Sequence, residues 1–342
     1  MMKHFLKSTI VIFLGLILMA GPVMAGKAVM GTGGNKGTRV RSLPMTITQP
    51  GFYYLTRNLN GTLTIEADDV VLDLMGFKLS GGTQQYGIFM EGRKNVTIRN
   101  GSVCNHPGAA IIENSSIGQG HVIQDLRMTN NGQTWRYPSI QLKGSGHVVE
   151  RCTIIDNYGS GIEVENDSRV MGNLLYSNGY NLGVVSDFFG IHASGSGCHI
   201  IDNVVMGSIE TGIGVYSGAT IRNNVVNDNQ ETGIMVELEA VLIEENAVMN
   251  NNLSDALTCE GIEAYRDCTV RKNMAADNKR ANIRVRSSDN VIINNHVKGS
   301  TGYGIDFDVS GSFYQGNTAT QNTLADFNNT AGQYSGGNNV SY

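Results

Sequence analysis

Two columns of this chain carry residue types that can move protons and hold charge. One reads Gln141, Glu163, His192, Gly214, Met235, Glu263, Arg284, Asp306; the other, two residues further along each segment, reads Lys143, Glu165, Ser194, Tyr216, Glu237, Tyr265, Arg286, Asp308. A carboxylate beside an imidazole can orient it as a general base or acid, and Glu163 precedes His192 in the first column. Taking a proton from the carbon next to a substrate carboxylate, with elimination, requires a base, an acid for the departing oxygen and a cation facing that carboxylate. His192, Tyr216, and Lys143 or Arg284 offer those three groups. Glycoside hydrolysis requires a pair of carboxylates instead, for which Glu163, Glu237 and Glu263 are the candidates. The columns also admit a structural reading, in which Lys143 with Glu165, Glu263 with Arg284, and Arg284 with Asp306 form a ladder of ion pairs worth ~0.2–1 kcal/mol each.

The columns exist because a phrase repeats. Gly87-Ile88, Gly161-Ile162, Gly190-Ile191, Gly212-Ile213, Gly233-Ile234, Gly261-Ile262 and Gly304-Ile305 each open a short strand, with Ser139-Ile140 and Asn282-Ile283 as variants. Most separations are 21–22 or 28–29 residues, one coil length with occasional insertions. Fixed periods of this size signal a solenoid. Alternation within each strand turns Ile and Val inward and the two columns outward. Successive coils run the same way, so their strands pair in parallel, and parallel crossovers are right-handed. The expectation is an all-β, single-stranded, right-handed parallel β-helix of about ten coils, ~4.8 Å apart.

Corners and insertions complete the coil. Asn100, Asn173, Asn203, Asn224, Asn246, Asn273, Asn295 and Asn317 form one asparagine ladder, with Asp125 and Cys152 as substitutes; Asn105, Asn130, Asn157, Asn178, Asn229, Asn251, Asn278 and Asn322 form a second, with Ser208 and Ser300 filling gaps. Asparagine tolerates the left-handed backbone of a sharp bend, and its amide bonds to the residue stacked above. Three insertions, Asn131 to Pro138, Gly179 to Phe189 and Asn252 to Glu260, enter at the same coil position and should form a wall. Trp135, Tyr137, Tyr180, Phe188 and Phe189 on that wall can either stack on sugar rings or pack down on the coil. Trp135, Tyr137, Lys143, Tyr265, Arg284 and Arg286 are therefore the candidate substrate-binding residues, beside the candidate catalytic set Glu163, His192, Tyr216, Glu237 and Glu263.

The segments Ile47-Thr48-Gln49-Pro50-Gly51-Phe52-Tyr53-Tyr54-Leu55 and Leu63-Thr64-Ile65-Glu66-Ala67-Asp68-Asp69-Val70-Val71-Leu72-Asp73-Leu74-Met75-Gly76-Phe77 resemble the opening of exported bacterial right-handed β-helix proteins of the pectin-lyase-like group. The resemblance extends over nearly the whole mature chain and implies the pectin-lyase-like solenoid. That scaffold holds lyases, hydrolases, epimerases and noncatalytic surface proteins, so it does not choose among them. Motifs of its enzymatic subfamilies are not matched: Gly120-His121 and Gly146-His147 lack the second glycine of the polygalacturonase-like Gly-His-Gly, and Arg136-Tyr137-Pro138 is too short for the pectate-lyase-like Arg-x-Pro-x-x-Arg. The Asp-Pro-His-Asp of alginate epimerases and the calcium-roll nonapeptide do not occur.

The ends bound the compartment. Lys3, His4 and Lys7, the apolar run Ile10 to Ala20 and the exit Val23-Met24-Ala25 read as a cleavable signal peptide over 1–25. Residues 26–37 follow as a flexible leader, 38–60 as an N-terminal cap, 61–323 as the β-helix and 324–342 as an Asn/Gly-rich tail. Losing Lys3 and Lys7 leaves 23 basic against 30 acidic residues, a formal charge of −7 in place of −5. So acidic a body is a poor partner for nucleic acid. The cysteines Cys104, Cys152, Cys198, Cys259 and Cys268 are odd in number; Cys104 and Cys152 would stand ~9.6 Å apart, beyond the ~7 Å of a disulfide. They read as buried free thiols, with Cys259 and Cys268 the pair left open. His121, His147 and His199 read as turn residues. The cluster Arg266, Arg271, Lys272, Lys279, Arg280, Arg284 and Arg286 is either an anionic-glycan site or a solvated face.

The expectation from sequence is a secreted carbohydrate-acting or carbohydrate-binding protein, located in the periplasm, at the cell surface or outside the cell. If catalytic, it should follow uronate-lyase chemistry; the alternative is a noncatalytic surface or adhesive scaffold that binds glycan or protein along the strand face. The expected partner is a polysaccharide or cell-surface glycan. No cofactor is assigned, although calcium is admissible, and monomer and trimer are both compatible with the chain.

Overall fold

The Gly-Ile phrase recurs because the neighbouring coil leaves no room there for a side chain. A Cβ added at Gly233 would lie 2.5 Å from the Gly261 carbonyl oxygen, 2.6 Å from Val248 and 2.8 Å from the Asn251 amide nitrogen. The glycine thus lets one coil sit directly on the next while the corner asparagine reaches across it. The structure, a computed structural model, describes residues 37–82, 85–179, 188–254 and 259–341. The expected signal peptide, the leader up to residue 36 and Tyr180 lie outside these residues. Among the described residues there is no helix, and hence none long and apolar enough to cross a membrane.

The strands wind into a parallel β-helix. One face is a sheet of 13 strands from Met45–Ile47 to Ala325–Asn328, every neighbour parallel. The other two faces form a single 25-stranded sheet that turns a corner. Ile162, Ile191, Ile213, Ile234, Ile262 and Ile283 stack inward, each fully buried, as period-two alternation demands. The coil number is 13 rather than about ten. The extra turns lie where the Gly-Ile phrase is missing: Thr38–Val40 pairs with Gly51–Leu55 at the start, and Phe313–Gln315 pairs with Tyr334–Ser335 at the end.

The corners divide between adjacent residues two tasks that the sequence reading gave to one. The left-handed backbone falls on Asp202, Asn223, Glu245, Lys272 and Asn294, while the next residues, Asn203, Asn224, Asn246, Asn273 and Asn295, make the ladder. Each of those amides donates to the next at 3.0 Å. Asn100 and Asp125 accordingly are left-handed corner residues rather than rungs, and Asn105 and Asn130 give way to His106 and Asn131 in the second ladder. Asn246 shows what a rung holds: it donates to the Ile221 and Glu244 carbonyls and to Asn273, and accepts from the Asn224 backbone and side chain, all out of water. Replacing it with Ala strands several buried groups, so a loss of about 2–3 kcal/mol is expected in urea or thermal unfolding; an unchanged midpoint would refute a stabilising ladder.

The third corner carries a buried polar column. His121 and His147 stack with ring centroids 4.9 Å apart. His121 Nδ1 accepts from the Val96 amide, so Nε2 carries the proton that points to Glu113 Oε2, 3.2 Å away. His147 Nδ1 likewise accepts from the His121 amide, and its Nε2 donates to the Lys143 carbonyl at 3.0 Å. His199 falls one residue past this column, paired with Thr220 and facing outward. All five cysteines are buried and none is in a disulfide, and burial pushes Cys152 up to about 12.

Candidate functional site

The outward column on the 13-stranded face keeps the expected register, with Glu163, His192, Gly214, Met235, Glu263 and Arg284 opposite one another in turn. A cleft of about 540 Å³ opens over this stretch. Its floor is Glu163, His192, Met235, Glu237, Glu263 and Arg286, and its far wall is Phe188, Phe189, Glu210, Thr211, Glu231, Thr232 and Cys259.

His192 turns away from its neighbour Glu163. Its Nε2 lies 2.8 Å from Glu237 Oε1, and Glu163 instead accepts from Gln141 at 3.3 Å. The cause is the bare rung at Gly214. The Phe189 ring lies over that glycine, where an added Cβ would come within 2.4 Å of Phe189 Cε1. The imidazole stacks on this ring with centroids 4.2 Å apart and planes 11° apart, which aims its edge along the helix axis toward Glu237. Gly214→Ala should push the ring off the glycine and release the imidazole. A stability cost of about 1–2 kcal/mol is expected in urea unfolding; an unchanged midpoint would show that the ring does not press on this glycine.

Charge in the cleft is one-sided. Among the described residues, Glu163, Glu210, Glu231, Glu237 and Glu263 face a single guanidinium, Arg286, which is already held by Glu263 through two contacts of 3.0 Å. The Glu210 carboxylate accepts from the Phe188 amide, pinning the wall. Glu210 and Glu231 escaped the sequence reading, which followed the two outward columns after the glycine and, before it, the three insertions. They stand two residues before Gly212 and Gly233, in line with Phe188 and Cys259 before Gly190 and Gly261, so aligning the repeat backwards as well as forwards would have found them.

The remaining candidates divide by place. Tyr216 and Tyr265 stand on the outward column that contains Glu237, 41% and 43% exposed. Lys143 and Arg284 do not line the cleft. The Lys143–Glu165 pair is not formed, since Glu165 accepts from the Gly144 amide at 2.7 Å. Arg284 binds Glu260 and Asp308 at 2.8 and 3.0 Å rather than Glu263 and Asp306; Glu260 is buried, and burial holds its carboxyl above the usual range against the pull of Arg284. Tyr137 folds back edge-on to Tyr86 at 5.5 Å, whereas Trp135, whose backbone amide donates to the Pro107 carbonyl, stays 60% exposed. Within the basic cluster, Arg266 pairs with Glu239, Arg271 with Glu244, Lys272 with Glu245 and Arg280 with Glu260, a ladder of ion pairs rather than an open cationic surface. Among the described residues no group of three or more His, Cys, Asp or Glu is placed to hold a metal ion.

The A-module of the mannuronan C-5 epimerase AlgE6 from Azotobacter vinelandii superposes with a TM-score of 0.64 at 13% identity, over 86% of this chain and 91% of that one. The periplasmic alginate epimerase AlgG gives 0.58 at 17% identity, over 86% and 78%. The catalytic unit of a GH87 α-1,3-glucanase from Streptomyces thermodiastaticus gives 0.55 at 12% identity, over 86% and 61%. At such identities the likeness is one of fold. No curated protein sequence matches the chain. The family model described as the right handed beta helix region matches residues 65–200 and 189–341, nearly all of the described coil, and the chain belongs to the right-handed β-helix family.

Proposed function

We propose that the protein is exported and acts on a polysaccharide laid across the acidic cleft, with hydrolysis of a neutral glycan the reaction best suited to that cleft. The observation that carries this reading is the His192–Glu237 contact of 2.8 Å within a cleft lined by four further glutamates. His192, held by Glu237, can pass a proton, and Glu163, bound only through the long Gln141 contact, offers a second carboxylate. The exposed rings of Tyr216 and Tyr265 flank Glu237 and suit stacking on sugar faces. The fold shared with an α-1,3-glucanase is consistent with this chemistry.

Uronate elimination or epimerisation is the second reading, favoured by the fold shared with two C-5 or alginate epimerases. It begins with proton abstraction, which His192 could perform. Charge weighs against it: a substrate carboxylate would enter among five glutamates, and Arg286, the one guanidinium among the described lining residues, is held by Glu263. The deciding experiment incubates the purified protein with neutral glucans and polyuronates while new reducing ends and unsaturated-uronate absorbance are followed. Reducing ends from neutral glycans alone support hydrolysis; absorbance, or C5 inversion by NMR, would replace it with the uronate reading. Silence across the panel would leave a glycan-binding scaffold.

A further inference from the structure

A second surface lies away from the cleft, on the face formed by Thr153–Ile155, Leu174–Tyr176, Val204–Met206, Val225–Asn227, Ala247–Met249 and Met274–Ala276, stacked in register. The middle residue of each strand is fully buried, so the flanking residues point out. None of these outward residues is charged, and all but Thr153 and Asn227 are apolar or aromatic. Leu174, Tyr176 and Met274 are 41%, 50% and 42% exposed. The other two faces carry the ion pairs described above.

We propose that this face joins two copies of the chain in a two-fold dimer. Six rungs at ~4.8 Å, with two outward residues each, expose roughly 500 Å² of apolar surface, at the upper end of what monomers leave open. Two copies would together cover about 1,000 Å², the lower bound of a biological interface, with the charged corner rows that carry Asp156, Asp228, Asp277, Asp202, Glu245 and Lys272 left at the rim. An uncharged flat sheet offers few groups for the hydroxyls of a glycan or for a charged partner. What fits it is another flat, uncharged sheet of equal length, packed about 10 Å away, and a second copy supplies one. The contact is self-complementary and closes at two, whereas a ring of three needs two different patches on each copy. The cleft, on another face, stays open.

The test is sedimentation of the purified protein over a concentration series, beside Val225→Lys at the centre of the face. The expected result is a wild-type dimer that Val225→Lys weakens by at least about 100-fold, since each dimer would bury two unpaired ammonium groups. Circular dichroism should be unchanged, because the lysine of a monomer points into water. Should that variant fold poorly, Met249→Lys on the adjacent strand reads the same contact. A wild-type monomer at every concentration, a trimer, or a dimer that persists in a folded lysine variant would each overturn the proposal.

Discussion

Glu237→Gln is expected to lower kcat about 10²–10⁴-fold, the range of a positioned proton-transfer group, on whichever glycan the protein turns over, and to leave the fold intact. Glutamine keeps the shape and can still accept from His192 Nε2, so the loss would report the charge behind the imidazole rather than the packing. That packing is supplied separately by Phe189, stacked 4.2 Å from the His192 ring. His192→Ala should cost as much, and the double variant should be no worse than His192→Ala alone, because two residues that act as one unit are not additive. A change confined to KM would assign the pair to binding, and independent losses that multiply in the double variant would separate the two roles.

What was legible in the sequence follows from which forces are local. The repeat could be read because each Gly-Ile phrase answers to a contact made once per coil, such as that of Gly233 with the Gly261 carbonyl, and because alternation alone turns Glu163, His192 and Glu263 outward. Side-chain pairing could not be read the same way. Adjacent rungs suggested Glu163 for His192, but a contact two coils away was chosen by an absence, the missing side chain of Gly214, and by the ring that fills it. The arginines show the same limit: Arg284 reaches to Glu260 and Asp308 and Arg286 to Glu263, because long side chains lean along the column instead of straight across it. The corners misled in a different way, since Asn serves there both as a left-handed residue and as a rung, and composition does not tell Asn223 from Asn224.

Acid should begin to destabilise the protein above the range in which carboxylates titrate. His106 and His147 are buried, and burial lowers each to about 4 from 6.5. Nearby His121 lowers His147 further, and the Lys143 carbonyl and the Glu113 carboxylate offset that shift only in part. In the unfolded chain both histidines take up a proton near 6.5, while the folded chain resists until about 4, so the unfolded state binds more protons in between. Stability is therefore complete above 6.5 and falls as the pH drops toward 4, by roughly 3 kcal/mol for each histidine. Glu113 adds a later loss: His121 and the amides of Gly92, Arg93 and Ser115 hold its carboxyl below the usual range despite burial, and that stabilisation disappears as the pH falls from about 4.5 through its lowered value. Urea unfolding at pH 7 and at pH 4.5 measures the first step. His106 gives the sharper control, because it occupies a rung of the second ladder above Asn131, with neither ring nitrogen hydrogen-bonded by its side chain. His106→Asn should restore the rung and remove about half of the loss between those two pH values. If the variant loses as much stability as the wild type, the acid step belongs elsewhere in the coil.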